Sequence, residues 1–199
     1  TIKPLEETKL EVFNFILDRL QNVLAEQDVP TDVSTAVLAV SREKASQAFL
    51  NPEKEQIAER FDDLVHIKVK ALALAQVKET EDFKPLAIGM KRVMNILRKE
   101  ADQVPSSAAD MAVMTEEAEK ALYQAFQALA EEARARFAQG EYLAFLQGLS
   151  ALKGPIDQFF DDVLVMDPDE KVRANRQAML NEIAGMFRQV AEFTHLQLA

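Results

Sequence analysis

Cysteine is absent from the 199 residues. That absence excludes disulfides and thiolate metal sites, and it fits a reducing compartment. Glycine is scarce at 5 residues and proline at 7, against 48% hydrophobic residues. This is the balance of a globular, helix-rich chain rather than a disordered one. No apolar run reaches the length of a transmembrane helix and the N-terminus lacks a signal-peptide pattern, so a cytoplasmic location is expected. Basic residues are outnumbered 23 to 33, for a formal net charge of -10. Coating nucleic acid by bulk electrostatics is thereby disfavoured, whereas a local basic face remains open. There is no Gly-rich phosphate loop, nucleophile elbow or catalytic-triad signature. His66 and His195 lie far apart with no Cys or His-x-x-x-His partner. Asp161 and Asp162 are adjacent and so point different ways on a helix. No catalytic and no metal-binding residue is assigned. Numbering that begins at Thr1 rather than Met raises the expectation of a fragment from a longer chain.

What the chain does have is helical periodicity. The organising stretch is Gly154–Leu196. Gly154-Pro155 breaks the preceding segment, Phe159 and Phe160 supply apolar bulk, and Asp167-Pro168-Asp169-Glu170 reads as a helix start capped by Asp167. Val172, Met179, Ile183, Met186, Val190 and Phe193 then recur at helical spacing, in what reads as the longest amphipathic helix of the C-terminal half. Upstream, Leu5–Gln27 places Leu10, Phe13, Ile16, Leu17, Leu20 and Leu24 on one face. A short helix is expected over Val33–Val40, with Ser41–Leu50 only weakly helical. Glu53–Lys78 should form a helix with Ile57, Phe61, Leu64, Val65 and Leu72 in the core. Further helices are expected over Phe83–Ala101, from Thr115 to about Phe137, and over Tyr142–Leu152, with a linker-like loop at Val104–Ala108. No β-alternation of useful length and no internal repeat appears, so the predicted class is all-α.

One window departs from the acidic background. Lys68 to Lys99 holds eight basic residues against Glu79, Glu81 and Asp82. At about 100° per residue, Lys84, Lys91, Asn95 and Arg98 share a face flanked by Arg92 and Lys99, while Met90, Val93, Met94 and Leu97 point to a core. Such a face either binds phosphates or is a solvated surface whose lysines balance acidic neighbours. Arg173, Asn175 and Arg176 form a second cluster at the start of the last helix. Arginine can grip phosphate or guanine and asparagine can read a base edge. Equally, these arginines can pair with Asp157, Asp161, Asp162 or Asp169 and lock the turn.

Pro155, Asp157, Phe159, Phe160, Asp161, Val163, Val165 and Met166, followed by Arg173, Asn175 and Arg176, form the irregular pieces Pro-x-Asp-x-Phe-Phe-Asp-x-Val-x-Val-Met and Arg-x-Asn-Arg. These resemble the C-terminal part of the β subunit of bacterial glycyl-tRNA synthetase. Phe15, Leu17, Asp18, Arg19 and Leu20, then Asp32, Val33, Ala36, Val37, Leu38 and Ala39, match its opening segment. Lys91, Arg92, Val93, Asn95 and Ile96 match its Lys-Arg-Val-x-Asn-Ile. The likeness therefore covers nearly the whole chain.

The resemblance implies an α-helical bundle like the anticodon-binding domain of arginyl-type class I synthetases. It is taken as one region over residues 1–199, or as two subdomains, 1–103 and 110–199, joined by the loop near 104–109. It implies recognition of the tRNA(Gly) anticodon, with Lys84, Lys91, Arg92, Asn95, Arg98, Lys99, Arg173, Asn175 and Arg176 as candidate tRNA-binding residues. It also implies a parent glycine–tRNA ligase of α2β2 form that uses ATP and Mg²⁺ on its α subunit. No cofactor is expected in this region itself, and neither membrane nor DNA is an expected partner. The alternatives are a helical module that contacts the α subunit or another β-subunit domain without touching RNA, and the anticodon domain of a related synthetase.

Overall fold

The computed structural model describes residues 4–50, 63–100, 105 and 107–198. Within them the chain forms α1 (Leu5–Ala25), α2 (Thr31–Leu50), α3 (Leu64–Val77), α4 (Phe83–Lys99), α5 (Glu117–Ala138), α6 (Tyr142–Leu149), α7 (Lys153–Asp162) and α8 (Glu170–Arg188), with short 3-10 turns at Met111–Val113, Ser150–Leu152 and Phe193–His195. No strand occurs among the described residues. The fold is all-α, as the periodicity predicts. No described helix is long and apolar enough to cross a membrane.

Local chemistry sets the turns. Between α1 and α2, Asp28 takes a left-handed φ of 58°, and the Val29 N–H reaches back to the Leu24 carbonyl. This closes α1 with a left-handed cap of the kind Asp tolerates better than most side chains. Gly140, at φ 76°, ends α5 the same way, with the Glu141 N–H on the Arg136 carbonyl. Asp63 caps α3 by accepting from the Val65 and His66 N–H groups. The cap of α8 is Asp169, which accepts from Lys171 and Val172. Asp167, the expected cap, instead accepts the Asp169 N–H in the preceding turn.

Other boundaries also differ from the sequence reading. Val33–Val40 and Ser41–Leu50 are one helix, because burial of Val33, Ala36, Val37, Leu38, Val40 and Ala45 carries α2 through the weak stretch. The break expected at Gly154-Pro155 falls just before it: the preceding segment ends in the turn Ser150–Leu152, and α7 begins at Lys153. Pro155 lies within the first turn of α7, where its missing N–H costs nothing. At 22 residues α5 is longer than α8, which has 19 and ends at Arg188. The α3 face is also rotated from expectation. Leu64, Val65 and Leu72 are exposed, and Ile67, Ala71, Ala73, Leu74 and Val77 are buried. Apolar residues surround this helix on every side, so spacing alone does not choose a face; packing against α2 and α6 does. Ile57 and Phe61 lie outside the described residues, as do Val104 and Ser106 of the expected linker.

Helices on both sides of residues 104–109 share one apolar core. It runs from Phe13 and Leu17 through Met90, Met94 and Phe145 to Phe187 and Phe193. α3 packs on α6, α4 on α7 and α8, and α2 on the turn at Phe193–His195. At Gly89 the approach of α7 is close enough that a Cβ would sit 2.8 Å from Ile156 Cγ2. Glycine is what lets these two helices touch there.

Candidate nucleic-acid interface

α4 carries Lys84, Lys91, Arg92, Arg98 and Lys99 and not one acidic residue. Its inner stripe is as the wheel predicts: Met90, Val93 and Met94 are wholly buried and Leu97 nearly so. The outward cations have unequal employment. Arg92, Arg98 and Lys99 are exposed, and among the described residues none of them pairs with a carboxylate. Arg98 Nη2 donates to Asn95 Oδ1 at 3.1 Å, so the two side chains hold each other across one turn. The Arg92 guanidinium lies 4.0 Å from the centroid of the Phe160 ring on α7. Lys84 sits 3.4 Å from Glu79. Lys91 turns inward, and its Nζ donates to the Leu196 carbonyl at 2.5 Å, tying down the C-terminal segment.

Two more lysines of the basic window serve the fold. Lys70 is buried, donates to the Gln189 carbonyl at 2.9 Å and lies over the Phe137 ring. It thus meets the carbonyl end of α8, where a cation is favoured. Lys78 pairs with Asp32 at 2.6 Å, with side chains only 8% and 7% exposed. Burial pushes the Asp32 carboxyl up. The hydrogen bonds from Lys78 and the Gln197 N–H, with the Lys78 charge, outweigh this and leave it below the usual carboxylate range. The charge asymmetry of the window is therefore partly internal structure. What remains outward is concentrated on α4.

The second cluster is spent within the protein. Arg176 is 3% exposed. Its Nε pairs with Glu119, Nη1 donates to the Leu164 carbonyl at 2.7 Å and to Asp167 at 2.8 Å, and Nη2 donates to Thr115 at 3.1 Å. Glu119 is itself 1% exposed and accepts the Thr115 N–H at 3.0 Å. Asn175 pairs both ways with the Asp110 backbone, donating at 3.0 Å and accepting at 2.7 Å. Glu182 accepts the Ala109 N–H at 2.6 Å, so α8 staples the loop before α5. Arg173 donates to the Asp167 carbonyl at 2.8 Å. The arginines do lock the turn, but their partners are Glu119, Asp167 and, at 3.9 Å from Arg173, Glu170, rather than Asp157, Asp161, Asp162 or Asp169. Arg176 has no accessible fork to offer RNA, which corrects its place among the candidates. Glu119 lies 57 residues away, and no local spacing points to it.

Phe159 is fully buried and Phe160 only partly so. The sequence treats the pair alike; the structure separates them, with Phe159 turned into the core and Phe160 lying under Arg92 of α4. His66 Nδ1 sits 2.7 Å from the Tyr142 hydroxyl. No group of three or more His, Cys, Asp or Glu suited to a metal ion occurs among the described residues.

Fold and face together define a class: a helical domain in which the acid-free helix α4 turns Arg92, Arg98 and Lys99 outward. Residues 86–194, more than half of the chain and nearly all of α4 through the final turn, match the DALR anticodon binding domain. The chain belongs to that family. It is also 40% identical to the glycine–tRNA ligase beta subunit of Geotalea daltonii over 191 residues, covering 96% of this chain and 24% of that protein. The corresponding subunit of Hahella chejuensis is 36% identical over 194 residues, 98% of this chain and 25% of its own. That of Geobacter metallireducens is 34% identical over 194 residues, with the same shares of each chain. The chain thus spans about a quarter of the length of the curated relatives it matches.

Proposed function

We propose that this chain is the anticodon-binding region of a glycine–tRNA ligase β subunit and that it meets tRNA(Gly) with the outward face of α4. The observation that carries the reading is that Arg92, Arg98 and Lys99 stand exposed, with no carboxylate partner among the described residues, on a helix without an acidic residue in a protein of net charge -10. Membership of the anticodon-binding family supports it. Arg98 and Lys99 supply phosphate contacts beside the charge of Arg92, with Lys84 and Asn95 at the margins. Phosphate contacts position the RNA, and base edges supply the specificity. Glycine anticodons end in two cytosines, and a carboxylate is the natural acceptor for cytosine N4. An acidic domain suits that task. The parent enzyme would join glycine to tRNA with ATP and Mg²⁺ at the α subunit of an α2β2 assembly, in the cytoplasm.

A second reading, an interaction module for the α subunit or another β-subunit domain, is favoured by one observation. Leu5, Val12, Ile16 and Val23 leave an apolar strip along the outer side of α1, with Phe15 beside it, each 38% or more exposed. A titration with tRNA(Gly), and with the same tRNA carrying a substituted anticodon, at two salt concentrations separates the readings. Preference for the native anticodon that survives higher salt is expected. Equal, salt-sensitive binding would reduce α4 to backbone attraction, and absence of binding would favour the module.

A further inference from the structure

Most exposed arginines are free to move; Arg92 is held. Gly89 brings Ile156 of α7 against α4. One turn further along both helices the Arg92 guanidinium lies 4.0 Å from the Phe160 ring centroid. Phe160 is fixed in turn by the edge-to-face ring of buried Phe159, with centroids 5.5 Å apart. A guanidinium resting on an aromatic face keeps its opposite face for solvent, and Arg92 is exposed. Ile88, 49% exposed, stands one turn before it on the same strip. Asn95 and Lys99 stand one and two turns after, with Arg98 alongside. An outward isoleucine beside a cation seated on an aromatic ring suits a flat, partly apolar ligand with a charged tail.

We infer that Arg92, seated on Phe160, is a stacking platform for an unpaired nucleobase. The base lies on the outer guanidinium face against Ile88, and its phosphates run toward Arg98 and Lys99. Unpaired bases are commonly stacked on Arg planes and aromatics, whereas paired ones are not accessible in this way. The inference rests on the RNA-binding reading of α4 and adds to it the contact, a π face, and the residues that form it.

The test uses a short single-stranded RNA carrying 2-aminopurine, and the same strand in a duplex, titrated with the chain and with R92K, R92A and F160L. Circular dichroism and a melting curve accompany each variant. The wild-type chain should quench the analogue in the single strand and not in the duplex. R92K keeps the charge, so its salt slope should be unchanged while quenching falls. R92A should weaken binding about tenfold, as loss of one stacked base does. F160L, with its fold intact, should lose part of the quenching because Arg92 is no longer held. Quenching by R92K equal to wild type, or equal quenching of single strand and duplex, would overturn the platform. Binding by the wild-type chain without quenching would overturn it while sparing α4 as an interface. No binding by any form would overturn both.

Discussion

α4 and the start of α8 look alike in sequence: each sets two basic residues close to an asparagine, Lys91-Arg92 with Asn95 and Arg173 with Asn175-Arg176. Their fates in the fold are opposite. Arg176 makes four hydrogen bonds inside the protein, to Glu119, Leu164, Asp167 and Thr115. Arg92, Arg98 and Lys99 stand outside with no carboxylate partner among the described residues. Residue type tells what a side chain is able to bind. Which atoms the rest of the fold delivers to it decides whether it is available to bind anything else. On that ground Arg176 of α8 helps hold the molecule together, whereas the outward cations of α4 remain available.

The widest separation between the two helices should come from R176A. It leaves the buried Glu119 carboxylate without its cation, which should cost about 3–5 kcal/mol, read as a lowered urea midpoint. tRNA affinity per folded molecule should hardly change. A stable R176A that binds tRNA poorly would reverse the assignment.

The Asp32–Lys78 pair sharpens the same contrast within the basic window. Because the Asp32 carboxyl is held below its usual range, its contribution is complete above about pH 5 and is lost as pH falls through the lowered folded-state value. D32N should cost about 1–3 kcal/mol at neutral pH by leaving Glu79, 3.5 Å away, as the remaining carboxylate partner of the buried Lys78 ammonium, and its stability should depend less on acid than the wild type's. Identical pH profiles in urea melts would show that the pair contributes nothing measurable.

The helices and the inner stripe of α4 are legible in the sequence because each is a local pattern: apolar spacing, a left-handed turn residue, an acidic cap. Agreement fails where local pattern is silent. α3 is apolar all round, so its face is set by neighbours. Asp167 and Asp169 are both plausible caps, and only the backbone path chooses between them. The candidate site is half legible. The outward position of Arg92, Arg98 and Lys99 follows from the α4 wheel. The inward turn of Lys91 depends on Leu196, and the burial of Arg176 on Glu119, at separations of 105 and 57 residues. The division of labour between Phe159 and Phe160 likewise needs α4 in place beside α7.

The central claim is that the outward cations of α4, and not those of α8, carry the electrostatic grip on RNA. The most direct test is the salt dependence of tRNA(Gly) affinity for the wild type and for R92A/R98A/K99A, which replaces only exposed side chains and should alter stability by no more than about 0.5 kcal/mol per site. The slope of log affinity against log salt should become shallower by about two in the triple variant, in proportion to the number of phosphates that it no longer neutralises. An unchanged slope and affinity in a folded triple variant would contradict the account.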